Sequence, residues 1–252
     1  MSQETKSEVR AKTTDPSERF VERGMREFGI GYRIVLAVVI GIVAAFTKVV
    51  WHWSWKDKEK LLDATSDQGA VIVMNHVSML DPITVICMMY ARGRRVRPIY
   101  KSEFDKHRIV GWLFTRVAGG ISVGRGTADI KAVRRAQHAL ERGESVLIYP
   151  EGTRIKSDDQ PVEVHGGFAL MAQLARASVV PCAIVGARDI TPAGARFSRP
   201  FKRVFVAAGD AITFDQIDAK GRKAQAQAME SLACERMYEL RDELRREHPG
   251  KM

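Results

Sequence analysis

From residue 70 to residue 208 the chain alternates short apolar runs of strand type with stretches of helical spacing. That alternation is the signature of an α/β domain. The strand-type runs are 70–74, 96–100, 120–123, 145–149, 179–185 and 204–208. The clearest helix is expected to begin at Thr127, to carry Ile130, Val133, Ala136 and Leu140 on one face, and to stop at Gly143. A second is expected over residues 167–177. Towards the C-terminus, Met229, Leu232, Ala233, Met237, Leu240 and Leu244 recur at helical spacing among charges, which predicts an amphipathic helix lying on the domain.

Ahead of this domain the character of the chain differs. Residues 1–20 are polar and charged and read as a mobile tail. Residues 34–47 (IVLAVVIGIVAAFT) are apolar or small throughout, between Arg33 and Lys48, and Trp51, Trp53 and Trp55 follow. A spanning helix needs roughly 20 apolar residues, so the stretch fits half-insertion or a short span lengthened by snorkelling of the flanking cations. The tryptophans, with Arg23, Arg26, Arg33, Lys48, Lys56, Lys58 and Lys60, suit a headgroup boundary better than a buried core helix. The expected organisation is therefore a tail (1–20), a membrane-associated helical segment (21–64) and the α/β domain (65–252). A net charge of +10 favours an anionic partner, whether nucleic acid, acidic lipid or phosphorylated substrate. The three cysteines are far apart with no CxxC pair, which supports no disulfide framework or cysteine zinc site and points to a reducing, cytosol-facing location.

Polar corners follow several of the strand-type runs. The first reads Asn75-His76-Val77-Ser78-Met79-Leu80-Asp81-Pro82, at the strand-to-helix position where α/β domains keep ligands. Pro82 suits the first helical position and Asp81 the N-cap, with one carboxylate oxygen capping and the other facing His76. An imidazole that donates to a carboxylate through one nitrogen keeps the other as an acceptor, as a general base requires. A structural histidine beside an ordinary cap explains the same corner equally well. Residues 119–126 (GGISVGRG) form a glycine-rich loop carrying Arg125, of the kind that lets backbone N–H groups approach a phosphate. Tyr149-Pro150-Glu151-Gly152-Thr153-Arg154 follows a buried run and supplies a second arginine suited to bidentate phosphate contacts. Val180-Pro181 enters another apolar run.

Together these segments resemble the glycerolipid acyltransferases, and among them the lysophosphatidic acid acyltransferases. Asn75, His76, Ser78 and Asp81 match the family's Asn-His-x-Ser-x-x-Asp, and residues 150–154 match Pro-Glu-Gly-Thr-Arg, with Tyr149 in place of phenylalanine. The family's Gly-Gly-x-Phe-Ile-Asp-Arg is met only at Gly119, Gly120 and Arg125, because Ser122 and Gly124 replace the phenylalanine and the aspartate. Val180-Pro181 matches a fourth motif, and Lys101-Ser102-Glu103-Phe104 resembles a Lys-x-Glu-Leu segment near the acceptor site. The likeness spans residues 65–210.

The resemblance implies a central mixed sheet flanked by helices, with residues 65–252 as an acyltransferase catalytic domain at the cytoplasmic face of the cell membrane. His76, oriented by Asp81, would deprotonate the acceptor hydroxyl as it attacks a thioester, with backbone donors near the corner stabilising the oxyanion and without an acyl-enzyme. Lys101, Arg125 and Arg154 would hold the acceptor phosphate, and Glu151, Gly152 and Thr153 would shape the substrate loop. It implies no metal and no cofactor, since acyl-CoA or acyl-carrier protein serves as co-substrate, and its partners are membrane lipids and a lysophospholipid rather than nucleic acid. The acceptor could instead be another lysolipid or a glycolipid, and three rival readings from other classes remain. Residues 120–124 match a GxSxG serine-esterase elbow with Ser122, followed by Asp158 or Asp159 and His165. Residues 119–126 partly fit a nucleotide P-loop. A basic lipid- or nucleic-acid-binding protein without turnover would also account for the charge.

Overall fold

The run VVPCAIV is buried at every position, a condition met by a strand covered on both faces. It forms β6 (Val179–Val185) of a seven-stranded sheet with β1 (Trp53–Lys56), β2 (Val71–Met74), β3 (Val96–Lys101), β4 (Ile121–Val123), β5 (Ser145–Ile148) and β7 (Val204–Ala208). The computed structural model describes residues 22–106, 111–124, 129–192, 195 and 197–251. Across the sheet the order is β1-β7-β6-β2-β5-β3-β4. The strands β4, β3, β5, β2 and β6 run parallel, β7 is antiparallel to β6, and β1 is parallel to β7. The sheet is therefore mixed, as the resemblance implies.

Alternation along the strands gives the sheet two apolar faces. Ile72, Met74, Leu147, Cys182 and Ile184 face a layer made of α1 (Ile30–Trp51), α2 (Lys58–Ala64) and α3 (Asp81–Tyr90). Val71, Val73, Val146 and Val179 face α4 (Ile130–Glu141), α5 (Gly167–Ala175) and α6 (Arg222–Glu247). Phe168 of α5 is fully buried in the second layer, where truncation to alanine would cost about 3–5 kcal/mol. The predicted C-terminal amphipathic helix is α6, which buries Met229, Ala233, Cys234, Met237 and Leu244.

Three local expectations need correcting. Patterning places residues 21–64 in a helical segment, yet Trp53–Lys56 is a strand whose backbone pairs with Val204–Ala207 of β7. Two tryptophans two residues apart, flanked by charge, satisfy an edge strand, a two-residue period hidden beside the long apolar helix. Thr127, the expected first residue of α4, lies outside the described residues. The helix is capped by Asp129, whose carboxylate accepts the Ala132 N–H. Its buried face is Ala132, Ala136, Ala139 and Leu140, whereas Ile130 is exposed at the open end of the first turn.

The helix α1 is 22 residues long and, by length and composition alone, apolar enough to cross a membrane. One face is packed: Leu36, Ile40 and Thr47 are buried, and the Thr47 hydroxyl accepts from Trp53 Nε1 at 3.2 Å. The opposite face exposes Ile34, Val35, Val38, Ile42, Phe46 and Val49.

Candidate active site

Two neighbouring parallel strands, β2 and β5, end at the same edge, and their chains leave towards opposite sides of the sheet, one to β3 and the other to β6. Such a divergence opens a crevice beyond the strand ends. At the end of β2 the Asn75 side chain takes over from the backbone ladder. Its Oδ1 accepts the Ile184 N–H (2.8 Å) and its Nδ2 donates to the Ile184 carbonyl (3.0 Å). The first motif asparagine is thus a clasp that fixes where the chain leaves the sheet.

The next residue, His76, lies with Nδ1 at 2.9 Å from Asp81 Oδ2. The same oxygen accepts the Val77 and Ser78 N–H groups at 2.7 and 2.8 Å. Asp81 is fully buried at the start of α3 and Pro82 follows it. The sequence expectation divides the carboxylate between a helix cap and His76. In the structure one oxygen serves all three donors, and they precede the helix rather than lie in its first turn. The other oxygen, Oδ1, has no hydrogen-bond partner among the described residues. Because Asp81 already occupies these two N–H groups, they are not the oxyanion donors expected at this corner. With Nδ1 engaged by the carboxylate, Nε2 remains as the acceptor.

The loop after β5 closes over this histidine. The Tyr149 ring stacks on the His76 ring at 4.1 Å and 20°. Burial, and then the Asp81 charge, hold the Tyr149 phenol well above its ordinary range, so it stays neutral. Glu151 accepts the His76 backbone N–H at 2.7 Å and the Tyr238 hydroxyl at 3.2 Å. Burial raises the Glu151 carboxyl above its usual value, against the lowering effect of those two bonds. Gly152 has φ +60° and stands so close to His165 that a Cβ would meet its ring at 2.8 Å, hence glycine. The Ile155 N–H donates to the His76 carbonyl at 2.7 Å, which places exposed Thr153 and Arg154 at the rim beside the imidazole. Lys101 ends β3, two strands from β2 and thus about 9–10 Å away along the same edge.

Arg125 lies outside the described residues. Two glycines of the loop expected to cradle a phosphate, Gly119 and Gly120, do something else. Gly119 and Gly120 are buried before β4, at the opposite end of the sheet from His76. A Cβ on Gly120 would stand 2.8 Å from the Tyr100 ring and 2.9 Å from the Pro98 carbonyl, and one on Gly119 would strike Arg95 at 2.2 Å. Close packing, not ligand approach, requires them. The Gly119 carbonyl accepts from Arg97 at 3.0 Å.

The serine-esterase constellation is not assembled. The Ser122 hydroxyl donates to Asp105 at 2.8 Å, Asp158 pairs with Arg188 and Arg245, and His165 lies against Gly152. Sequence reasoning missed Tyr238, whose only signal is a phenol beside buried Met237 on α6. It also missed the buried Arg97–Glu144 pair.

The crevice defines an α/β protein in which a buried carboxylate orients a histidine beyond the ends of the central strands. Residues 56–185 match the Acyltransferase family, which spans both motif-bearing corners and more than half of the chain, and the chain belongs to that family. A chloroplastic 1-acyl-sn-glycerol-3-phosphate acyltransferase of Arabidopsis thaliana is 31% identical over 132 residues, covering 52% of this chain and 35% of that protein. A 1-acyl-sn-glycerol-3-phosphate acyltransferase of Streptococcus pneumoniae is 26% identical over 122 residues, 48% of this chain and 43% of that one. A lyso-ornithine lipid O-acyltransferase of Pseudomonas aeruginosa is 33% identical over 126 residues, 50% of this chain and 46% of that one. The matches thus span between a third and a half of these relatives' length. The crystal structure of a 1-acyl-sn-glycerophosphate acyltransferase from Thermotoga maritima shares the fold, with TM-score 0.63, 22% identity and 88% coverage of both chains.

Proposed function

We propose that this protein transfers a fatty acyl group from acyl-CoA or acyl-carrier protein to the free hydroxyl of a lysophospholipid, converting 1-acyl-sn-glycerol-3-phosphate to phosphatidic acid. The observation that carries the reading is the His76–Asp81 pair, at 2.9 Å, inside the segment that matches the family. Asp81 keeps the proton of His76 on Nδ1, and Nε2 takes the proton of the acceptor hydroxyl as its oxygen attacks the thioester carbonyl. The C–S bond then breaks, and the departing thiolate takes the proton back from the imidazolium. The acyl group passes directly to the acceptor, so no acyl-enzyme forms. Arg154, with Lys101 and Arg125, holds the acceptor phosphate by charge-assisted bonds. Glu151 fixes the loop to His76 and is not a second base.

The acceptor and the product live in a bilayer, and the exposed apolar face of α1 is the part of the molecule suited to it. A helix packed on α3 along one face meets lipid with the other, so we place α1 along the interface at the cytoplasmic side of the membrane rather than across it. Incubation of the membrane-bound protein with labelled acyl-CoA and a panel of lyso-acceptors tests the reading. Labelled phosphatidic acid is the expected product. The likeness to a lyso-ornithine lipid acyltransferase supports a second acceptor, and label appearing only in ornithine lipid would replace the first reading with that one. Absence of acyl transfer to every acceptor would remove both.

A further inference from the structure

The exposed stripe of α1 does not stop where the helix ends. Phe46 and Val49 are 60% and 66% exposed near its C-terminus, and the Phe46 ring meets the Trp51 ring edge-on at 6.1 Å. A loop between β6 and β7 is tied to this end by two bonds. The Phe201 N–H donates to the Val50 carbonyl at 2.7 Å, and Trp51 Nε1 donates to the Arg199 carbonyl at 2.9 Å. The loop carries Phe197 and Phe201, the two most exposed large hydrophobic side chains among the described residues, at 75% and 73%.

Their presentation is built into the fold. Phe201 has φ +58°, a left-handed conformation that is uncommon for a bulky residue and that persists only when its surroundings enforce it. Here the bond to Val50 does so, and the Arg199 N–H is held by the Ile190 carbonyl at 2.7 Å. Basic residues flank the aromatic pair along the chain: Arg199 and Arg203 are exposed and Lys202 is half-buried. Exposed phenylalanines in a basic stretch of chain match one kind of partner, a bilayer surface containing acidic phospholipid. A helix lying in the interface is free to roll about its own axis. A contact off that axis removes the roll and sets the rotational position of the domain on the membrane.

We infer that the loop bearing Phe197 and Phe201 is a second membrane-contact point that seats the C-terminal end of α1 on an acidic phospholipid surface. The inference rests on the reading that α1 meets the bilayer, and the test separates the two. The purified full chain is co-sedimented with phosphatidylethanolamine vesicles with and without phosphatidylglycerol. A Phe197→Asp/Phe201→Asp variant should lose at least about tenfold in partition to the acidic vesicles, because a charge replaces an inserted ring. Phe201→Leu should stay near wild type, and all variants should keep their thermal midpoint and their activity in detergent micelles. An Ile42→Asp/Phe46→Asp variant reports on α1. If that variant is released while the phenylalanine pair variant binds like wild type, the loop inference is overturned and the α1 reading stands. If only the pair variant is released, the α1 reading falls, and with it the inference that the loop seats α1, leaving the loop as a membrane contact by itself. Equal binding of the wild type to vesicles lacking phosphatidylglycerol overturns the acidic-lipid assignment, and failure to bind any vesicle overturns both.

Discussion

Both ends of the central strands bury a glutamate among polar groups, and the two are held in opposite ways. At the N-terminal ends, Glu144 meets fully buried Arg97, and Arg95 and Arg142 add their charges. Arg97 also donates to the Gly119 and Arg23 carbonyls, and Glu144 accepts the Met25 N–H at 3.0 Å, so the cluster ties the segment before α1 to the sheet. Burial alone would raise the Glu144 carboxyl, but these arginines bring it below its usual range. At the C-terminal ends, Asp81 and Glu151 are held by N–H groups, a phenol and an imidazole, with no arginine or lysine bonded to either among the described residues. A fixed cation would lock a carboxylate permanently. That place is left to the His76 imidazole, the arrangement that the proposed general-base role requires.

The largest effect should come from the imidazole itself. His76→Ala should lower kcat by about a hundredfold to ten-thousandfold with the fold intact, and Asp81→Asn should impair turnover by releasing the ring, both read from acyl transfer beside a thermal melt. Near-normal kcat in His76→Ala would reduce the upper corner to a structural one. The lower cluster should respond the other way. Arg97→Met strands a buried carboxylate and should cost about 3–5 kcal/mol of stability in chemical denaturation, with turnover per folded molecule kept. Lost turnover at unchanged stability would break the contrast between the two ends.

Arg154→Gln should act on binding. Loss of a charge-assisted contact is worth about 1.5–3 kcal/mol, seen as an acceptor KM raised roughly tenfold to a hundredfold with little change in kcat. An unchanged KM would take Arg154 out of the phosphate site. The smallest effect is a pH dependence of stability. Because burial raises the Glu151 carboxyl, its stabilising contribution is complete below the ordinary carboxylate value of about 4.3 and is lost as pH rises through its folded value. Glu144, held low, contributes above that ordinary value and loses the contribution as pH falls through its own. Glu151→Gln, which preserves an acceptor for the His76 N–H, should therefore gain thermal midpoint relative to wild type as pH rises above about 4.3. A gap that narrows over that rise would contradict the raised carboxyl.

Sequence patterning reached the strands that are apolar throughout, because burial on both faces leaves no alternative composition for a run such as Val179–Val185. It also reached the His76–Asp81 corner, since partners five residues apart are joined by the same local turn. It misjudged the glycines before β4, whose composition is the same whether a ligand or a tyrosine ring comes close; the Tyr100 contact that explains them lies across the sheet. It lost β1 for a related reason. Four residues of strand beside a long apolar helix have no local signal stronger than the helix, and their partner, β7, is far along the chain.

Chain order and periodicity thus determined which elements form and which side chains stand at their ends, because propensity, burial pattern and turn chemistry act over a few residues. Tertiary structure alone decided that Arg97 meets Glu144, 47 residues away, that Tyr238 reaches Glu151 across 87 residues, and that a loop before β7 carries exposed phenylalanines to the end of α1. Those contacts depend on strand order and on the face each helix covers, which no local spacing specifies, because many sheet orders would bury the same apolar runs equally well.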